Sequence, residues 1–459
     1  MAAERSLRAW LRQQAGAHPV LSNISILATG TAASQAIAII VSIFTARIFT
    51  PETFGEFALF SSISGIFVVI ATLRYDVAIV LPDTDDEARQ LARIATRANI
   101  VVSVLATILA FSLRPVVLRV WGSETLAAWL PLVGLAIFCS AQVAIWQYWY
   151  NRQRQYQVIA LNRFESGVGS SLGQLGFGLG GLRSFLGLIF GNFVGLLWAL
   201  FNLGRQSGTV WHPVAPDTPS MRAMARKYRN MPLLNLPNAL VDAVRTNGIQ
   251  MLIGAAALGS LGQFNLAWRV LQAPIALLNG AISQVFLERM ARVQPGQLTG
   301  LVRAVIKRAF MFGVGPFLLL WIVAPWLIPF VFGPQWVEAG LITRALVPWL
   351  AVNLITSPLS GVFVVTGRQA WILLHTIVFT IVPLGWLAFS PLDFLETLQI
   401  LSLMMAFMLL VLVFIADLAA RAYDKAEAAE TGKPTDRTSD DEIGNAGTNK
   451  PEQDEINED

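Results

Sequence analysis

The sequence predicts an all-α integral membrane protein with about twelve transmembrane helices, set as two six-helix lobes around a central cavity. Three observations carry this expectation. Of the 459 residues, 55% are hydrophobic and only 14% charged, against roughly 25% charged in a typical soluble domain. Apolar runs of membrane-spanning length recur along most of the chain. Two short stretches also repeat at offsets of 207 and 211 residues.

A hydrocarbon core of ~30 Å needs about 20 apolar helical residues, and backbone in lipid must satisfy its own hydrogen bonds. Twelve runs meet this need: 24–46, 57–80, 95–113, 125–148, 156–178, 183–203, 233–256, 260–286, 308–332, 341–365, 370–390 and 397–418. The first begins after Arg5, Arg8 and Arg12 like a secretory signal, yet it is long enough to span and has no small-residue cleavage site, so it reads as a retained helix.

Orientation follows from the short loops. With a cytoplasmic N-terminus, about 23 of the 33 Lys and Arg fall on the inside and about four outside. Both ends are therefore expected in the cytoplasm. The organisation is 1–22, a cytoplasmic N-terminal segment; 23–203, the N-terminal lobe; 204–232, a cytoplasmic linker with a surface helix around 221–230; 233–420, the C-terminal lobe; and 421–459, an acidic cytoplasmic tail. From Asp424 onward the tail carries twelve acids and four bases and few apolar residues, a composition that favours disorder. The rest of the chain is net basic, which suits an anionic substrate or anionic lipid better than nucleic acid, because its aromatics lie inside apolar runs.

The internal repeat aligns Phe54-Gly55-Glu56-Phe57-Ala58-Leu59 with Leu261-Gly262-Gln263-Phe264-Asn265-Leu266, and Trp121-Gly122-Ser123-Glu124 with Phe332-Gly333-Pro334-Gln335. Both pairs sit at outside turns. Repeats separated by six spans share one orientation, so the implied axis lies along the membrane normal, as in transporters that rock two lobes about a central site.

Ionisable residues inside spans form the functional shortlist, since each is costly away from water or a partner. Arg74 and Asp76 lie toward the inner end of the second span, Arg163 and Glu165 in the fifth, Asp242 and Arg245 near the middle of the seventh, and Arg269 in the eighth. Asp242 and Arg245, three apart, can also pair locally, and Arg74 with Asp76 can act as a clamp. Arg97 and Arg344, near span ends, read as snorkelling residues, and His375 as a packing residue. The small surplus of arginine favours phosphate, which guanidinium binds in bidentate fashion. Asn235, Asn238, Asn247, Asn265 and Gln272 offer hydrogen bonds to sugar hydroxyls. Pro232 and Pro237 should bend or unwind the start of the seventh span.

Several stretches resemble the polysaccharide (O-antigen) flippase family of the multidrug/oligosaccharidyl-lipid/polysaccharide exporter superfamily. They are Ala46-Arg47-Ile48-Phe49-Thr50-Pro51-Glu52-Thr53-Phe54-Gly55; Leu73-Arg74-Tyr75-Asp76 through Leu81-Pro82; Arg226-Lys227-Tyr228 leading to Met231-Pro232; Ala267-Trp268-Arg269-Val270-Leu271 before Pro274; and Phe332-Gly333 with Trp336 and Ala339-Gly340. The resemblance covers about residues 20–420. It implies a flippase that moves undecaprenyl-diphosphate-linked oligosaccharide from the cytoplasmic to the periplasmic leaflet of the bacterial inner membrane, for lipopolysaccharide or exopolysaccharide assembly. It also implies a role in anionic-headgroup binding for Arg74, Asp76 and Arg269. Expected partners are that lipid-linked glycan, membrane lipids, and a polysaccharide polymerase with other assembly proteins.

No Gly-x-x-x-x-Gly-Lys-Ser/Thr loop is present, so direct ATP use is not expected; proton or sodium coupling through Asp76, Glu165 or Asp242 would take its place. A single cysteine, Cys139, excludes an internal disulfide or multi-cysteine metal site. No catalytic residue, cofactor or metal is expected. The competing readings are a cation-coupled multidrug or small-molecule antiporter of the same fold, a membrane polymerase or glycosyltransferase, disfavoured by short outside loops, and a scaffold within a synthesis complex.

Overall fold

The structure, a computed structural model, describes residues 19–272, 275, 296–356, 359, 362–363, 366 and 369–431. Among them the chain is helical throughout and has no strand. The long helices are α1 (Pro19–Ile48), α2 (Pro51–Ala71), α3 (Asp85–Ser112), α4 (Leu132–Arg152), α5 (Tyr156–Leu179), α6 (Phe185–Gln206), α7 (Leu236–Ala256), α8 (258–272), α9 (Leu298–Phe332), α10 (Val337–Thr356), α11 (Gln369–Phe389) and α12 (Phe394–Thr431). The rest of the expected eighth span, to 286, and the tail beyond 431 lie outside the described residues.

Seven of these helices are long and apolar enough to cross a membrane by length and composition, and apolar stretches at Ser34–Ile48 and Leu374–Phe389 are shorter. The 24-residue α5 and 21-residue α7 are long enough but miss that level of apolarity. These two carry Arg163, Glu165, Asp242 and Arg245. Polarity is thus concentrated on particular helices of the bundle.

Local chemistry sets the helix starts. The Thr50 hydroxyl accepts from Thr53 N and Pro51 occupies the first turn of α2, while Thr84 caps α3 ahead of Asp85, Asp86 and Glu87, placing acids at the positive helix end. Several helices overrun the spans read from hydropathy. α3 starts at Asp85, α9 at Leu298, and α12 continues to Thr431, past residue 420. The extension of α12 is tethered: Asp424 accepts from the free backbone N–H groups of Leu298 and Thr299, and Asp417 pairs with Arg303 and Arg421. Carboxylates that satisfy the start of a neighbouring helix hold this stretch in helical form despite its charge.

Within the N-terminal lobe α1 packs on α5, α5 on α6, α3 on α4, and α2 on α4; α9, α10 and α12 pack together in the other lobe. Between lobes α2 packs on α7, and within the C-terminal lobe α7 packs on α11. The lobes meet backbone to backbone at the end holding the α1–α2 turn, the outer end. A Cβ on Gly55 would collide with the Leu258 carbonyl, and one on Gly262 with the Pro51 carbonyl. Gly55 and Gly262 are 207 residues apart, as are Pro51 and Leu258. This contact is therefore its own mirror across the two lobes, the signature of a two-fold interface.

The second echo behaves alike. Trp121 donates its indole N–H to Met251 O at 3.2 Å and lies against Gly254, and 207 residues before Gly254 stands Arg47, which donates to Val331 O at 2.9 Å beside Phe332. Trp336 adds a donation to Ala46 O at 2.7 Å and an edge contact with Phe54, ring centroids 5.2 Å apart.

Candidate functional site

At the inner end, opposite the glycine contact, two helices lose regularity and face each other. The span expected to run unbroken over 57–80 is interrupted. α2 stops at Ala71, Leu73 and Arg74 take left-handed backbone angles with φ of 49° and 62°, and a short helix follows at Tyr75–Ala78. Two successive non-glycine residues in that region cost on the order of 1 kcal/mol or more each. Local bonds hold the break: the Thr72 hydroxyl donates to Asp76 Oδ1 at 2.7 Å and accepts from Arg74 N at 3.3 Å, while the Tyr75 hydroxyl donates to Ala225 O at 3.2 Å. Hydropathy averaged over a window misses such a break because apolar residues flank Arg74 and Asp76 on both sides.

In the other lobe α7 is preceded by a π-helical turn at Met231–Asn235, with Pro232 and Pro237 each at the start of a helical segment. Proline removes backbone donors there and prevents an ordinary α-turn, as the two prolines predict. The irregular segments are joined by one bond, Arg74 Nε donating to Asn235 Oδ1 at 2.9 Å.

The remaining shortlisted residues divide into three places. Arg163 lies between α4 and α5, where its guanidinium donates twice to Gln147 Oε1, at 3.2 and 3.1 Å. It lines a cavity of about 340 Å³ with Tyr148 and Asn151. Glu165 points the other way, toward α6, accepting from the Trp198 indole at 2.9 Å and from Asn202 Nδ2 at 2.7 Å. Asp242 and Arg245 form the local ion pair allowed by their spacing. Arg245 also lies 5.0 Å from the centroid of the Phe379 ring on α11. The Asp242 carboxylate is 62% exposed in mid-helix, so the pair is open on its acid side. Arg245 Nε is buried and has no hydrogen-bond partner among the described residues.

Arg269 is half-buried on α8 and has no hydrogen-bond or carboxylate partner among the described residues. Its neighbour Trp268 stacks on Phe264, centroids 5.8 Å apart, and packs against Trp349. Arg74 and Asp76 share the break in α2 through Thr72, and Arg163 lines the α4–α5 cavity together with Tyr148. No contact among the described residues joins Glu165 or Arg269 to these residues. Tyr148 and Gln147 are the residues that intramembrane charge alone does not pick out; they form an adjacent polar pair toward the inner end of the fourth span.

The loops around the inner end are built as firmly as the helices. Arg152 donates to Asp85 Oδ1 at 2.8 Å and to the carbonyls of Ile79, Pro82 and Asp83, clamping the acidic loop after the broken α2. The expected surface helix is Met221–Lys227, capped by Ser220. It lies against the N-terminal lobe, with Met224 fully buried and Lys227 paired to Glu87 at 2.9 Å. That hydrogen bond raises the lysine above its ordinary range. His375 packs on Phe379 and bonds to Met408 O at 2.9 Å, a satisfied histidine. Arg344 stacks on Trp321, 4.1 Å from the ring centroid. Among the described residues no group of three or more His, Cys, Asp or Glu gathers to hold a metal.

Comparison with known proteins agrees with this architecture. Residues 44–340 match the family model described as polysaccharide biosynthesis protein. No curated protein matches the sequence. Among solved structures, the lipid II flippase MurJ in an inward closed conformation superposes with a TM-score of 0.68 at 12% identity, over 90% of this chain and 94% of that one. An inward-facing multidrug resistance MATE transporter of the MOP superfamily gives 0.60 at 16% identity, over 87% and 96% of the two chains. An outward-facing MATE structure gives 0.56 at 14% identity, over 89% and 96%. At such identities the likeness is one of fold, and the fold is the twelve-helix, two-lobe membrane bundle. The family model takes in both helix breaks, the glycine contact and eight of the twelve long helices as described, α2 to α9, so the chain belongs to the polysaccharide biosynthesis protein family.

Proposed function

We propose that the chain is a flippase for undecaprenyl-diphosphate-linked oligosaccharide, carrying it from the cytoplasmic to the periplasmic leaflet of a bacterial inner membrane by alternating access. One observation carries the reading: three of the four deep arginines are held by neutral partners or by none. Arg74 meets an asparagine, Arg163 a glutamine, and Arg269 nothing among the described residues. Their charge remains available to an anion, and a diphosphate suits paired N–H donors in a partly dry site. A cation-exporting antiporter would call for the opposite balance.

In this reading the headgroup enters from the inner end, where the Arg74–Asn235 bond joins the lobes, and the lipid chain stays in the bilayer. The outer glycine contact must part before release. Both termini are cytoplasmic, and Asp76, only 4% exposed, is the leading candidate for ion coupling. A polymerase and other assembly proteins would receive the delivered units, whether for lipopolysaccharide or exopolysaccharide.

The test is deletion of the gene followed by measurement of which leaflet holds lipid-linked glycan. Accumulation on the cytoplasmic side, rescued by the wild-type chain and not by Arg269→Ala at matched expression, is expected. Drug sensitivity with normal glycan distribution would overturn the proposal in favour of an antiporter.

A further inference from the structure

The clefts at the α4–α5 junction carry two arginines, Arg154 and Arg163, that have no carboxylate partner among the described residues. Two cavities share Asn151. One, of about 430 Å³, opens at the turn itself and is lined by Asp85, Arg152, Gln153, Arg154 and Tyr156 as well as Asn151. The other, of about 340 Å³, continues between the helices past Gln147, Tyr148 and Arg163. Ala144, Gln147, Tyr148 and Asn151 recur at helical spacing along one stripe of α4, and Ile159 and Arg163 along the facing stripe of α5. The result is a polar groove that rises about 10 Å from Tyr156 to Arg163.

The charges in this groove do not cancel. Asp85 is committed to Arg152, whose remaining donors serve three backbone carbonyls. Arg154 is exposed and has no side-chain partner among the described residues. It also holds a left-handed φ of 58°, a conformation glycine would adopt without strain and one that marks functional positions when a larger residue keeps it. Arg163 is bonded only to a neutral amide. Two guanidinium groups thus stand at the mouth and the inner end of one groove, with the free Asn151 amide between them.

On its other side α5 forms an open, mostly apolar groove with α6, about 620 Å³, lined by Phe164, Val168, Val194, Leu197 and Phe201, with the Glu165 carboxylate bonded to the Trp198 indole on its wall. One helix therefore separates a cationic groove from an apolar one at the same depth.

We propose that the α4–α5 groove is a reception site for the diphosphate of a polyprenyl lipid, whose chain lies in the α5–α6 groove, and that it is occupied before the headgroup reaches Arg74. The choice of a lipid-borne diphosphate over a free one rests on the apolar groove and on the flippase reading. The groove selects for phosphate by charge and bidentate geometry, and the neighbouring groove selects for an attached isoprenoid.

The test uses the full-length chain purified in neutral detergent, with farnesyl diphosphate and inorganic pyrophosphate as probes in a binding titration. Arg154→Gln, on an exposed turn and free of structural contacts, is expected to weaken farnesyl diphosphate binding about tenfold, the factor for one lost charge-assisted contact. Arg222→Gln, an exposed cation on the Met221–Lys227 helix outside both grooves, is the charge-matched control and should leave affinity unchanged. Farnesyl diphosphate should bind at least about tenfold more tightly than pyrophosphate, since burying several methylenes contributes that much. Equal loss in both variants, or no loss in Arg154→Gln, overturns the site, and equal affinity for the two probes overturns its lipid assignment. These outcomes are independent of the leaflet assay: a chain whose deletion leaves glycan distribution normal loses the flippase reading while the binding result stands.

Discussion

Arg74 Nε lies 2.9 Å from Asn235 Oδ1, and this hydrogen bond joins the broken inner end of α2 in one lobe to the π-helical entry of α7 in the other. Both partners sit where regular helix has been given up, so both can move without unwinding a long ladder. A guanidinium that spends one donor on a neutral amide keeps its charge and its other N–H groups for a ligand. In the proposed function this bond defines the resting approach of the two segments, and a diphosphate displaces it.

Arg74→Lys therefore separates charge from geometry. Lysine keeps the positive charge but loses the planar fork, and translocation is expected to fall about tenfold, as for one lost charged hydrogen bond. Asn235→Asp is expected to be as damaging for the opposite reason, because a carboxylate would neutralise Arg74. Flux of lipid-linked glycan across reconstituted vesicles reads both. Wild-type flux in Asn235→Asp would remove the free charge of Arg74 from the mechanism.

The outer glycine contact gives a symmetry test. Gly55→Ala and Gly262→Ala each place a Cβ against a partner carbonyl in the other lobe. Each is expected to cost about 1–3 kcal/mol of the closed outer contact, the range for overpacking. The two should match, and cysteine cross-linking between positions 51 and 258 should drop equally in both. A large effect from one glycine alone would show that the contact is not two-fold.

The lobes and their axis were legible because both depend on features that local sequence carries: apolar run length and the paired echoes around Gly55 and Gly262. The local pairing of Asp242 with Arg245 was equally legible from a spacing of three. Arg74's partner was not, since Asn235 is 161 residues away and its approach depends on two helix breaks. Prolines signal the break at 231–237. Nothing comparable marks Leu73 and Arg74, whose left-handed turn is held by Thr72 and by a tertiary bond from Tyr75 to the linker. The buried docking of Met224 was hidden for a related reason, because a helix of seven residues shows too few turns to reveal its apolar side.

Arg152 supports the acidic loop rather than any ligand. Its guanidinium serves one carboxylate and three carbonyls, and Arg152→Ala strands those acceptors. A stability loss of about 1–3 kcal/mol is expected, seen as a lower thermal midpoint and faster proteolysis between residues 79 and 86. Arg152→Lys should recover little, because one ammonium cannot reach four oxygens arranged around a planar fork. Full recovery by lysine would mean that only the Asp85 charge matters.

Asp242 tests whether the arginine surplus has a working function. Its carboxylate is 62% exposed while Arg245 is 18% exposed, so the pair contributes no more than about 1 kcal/mol to stability. Asp242→Asn should thus leave the thermal midpoint nearly unchanged. It also frees Arg245 and makes the interior one charge more positive. Binding of a diphosphate is expected to tighten about fivefold, the factor for about 1 kcal/mol, and translocation to slow severalfold, because release then lacks the carboxylate that reclaims Arg245. Affinity and flux measured on the same preparation separate the two effects. Unchanged affinity together with unchanged flux would leave Asp242 and Arg245 as a structural pair, and the positive interior would then rest on Arg74, Arg163 and Arg269 alone.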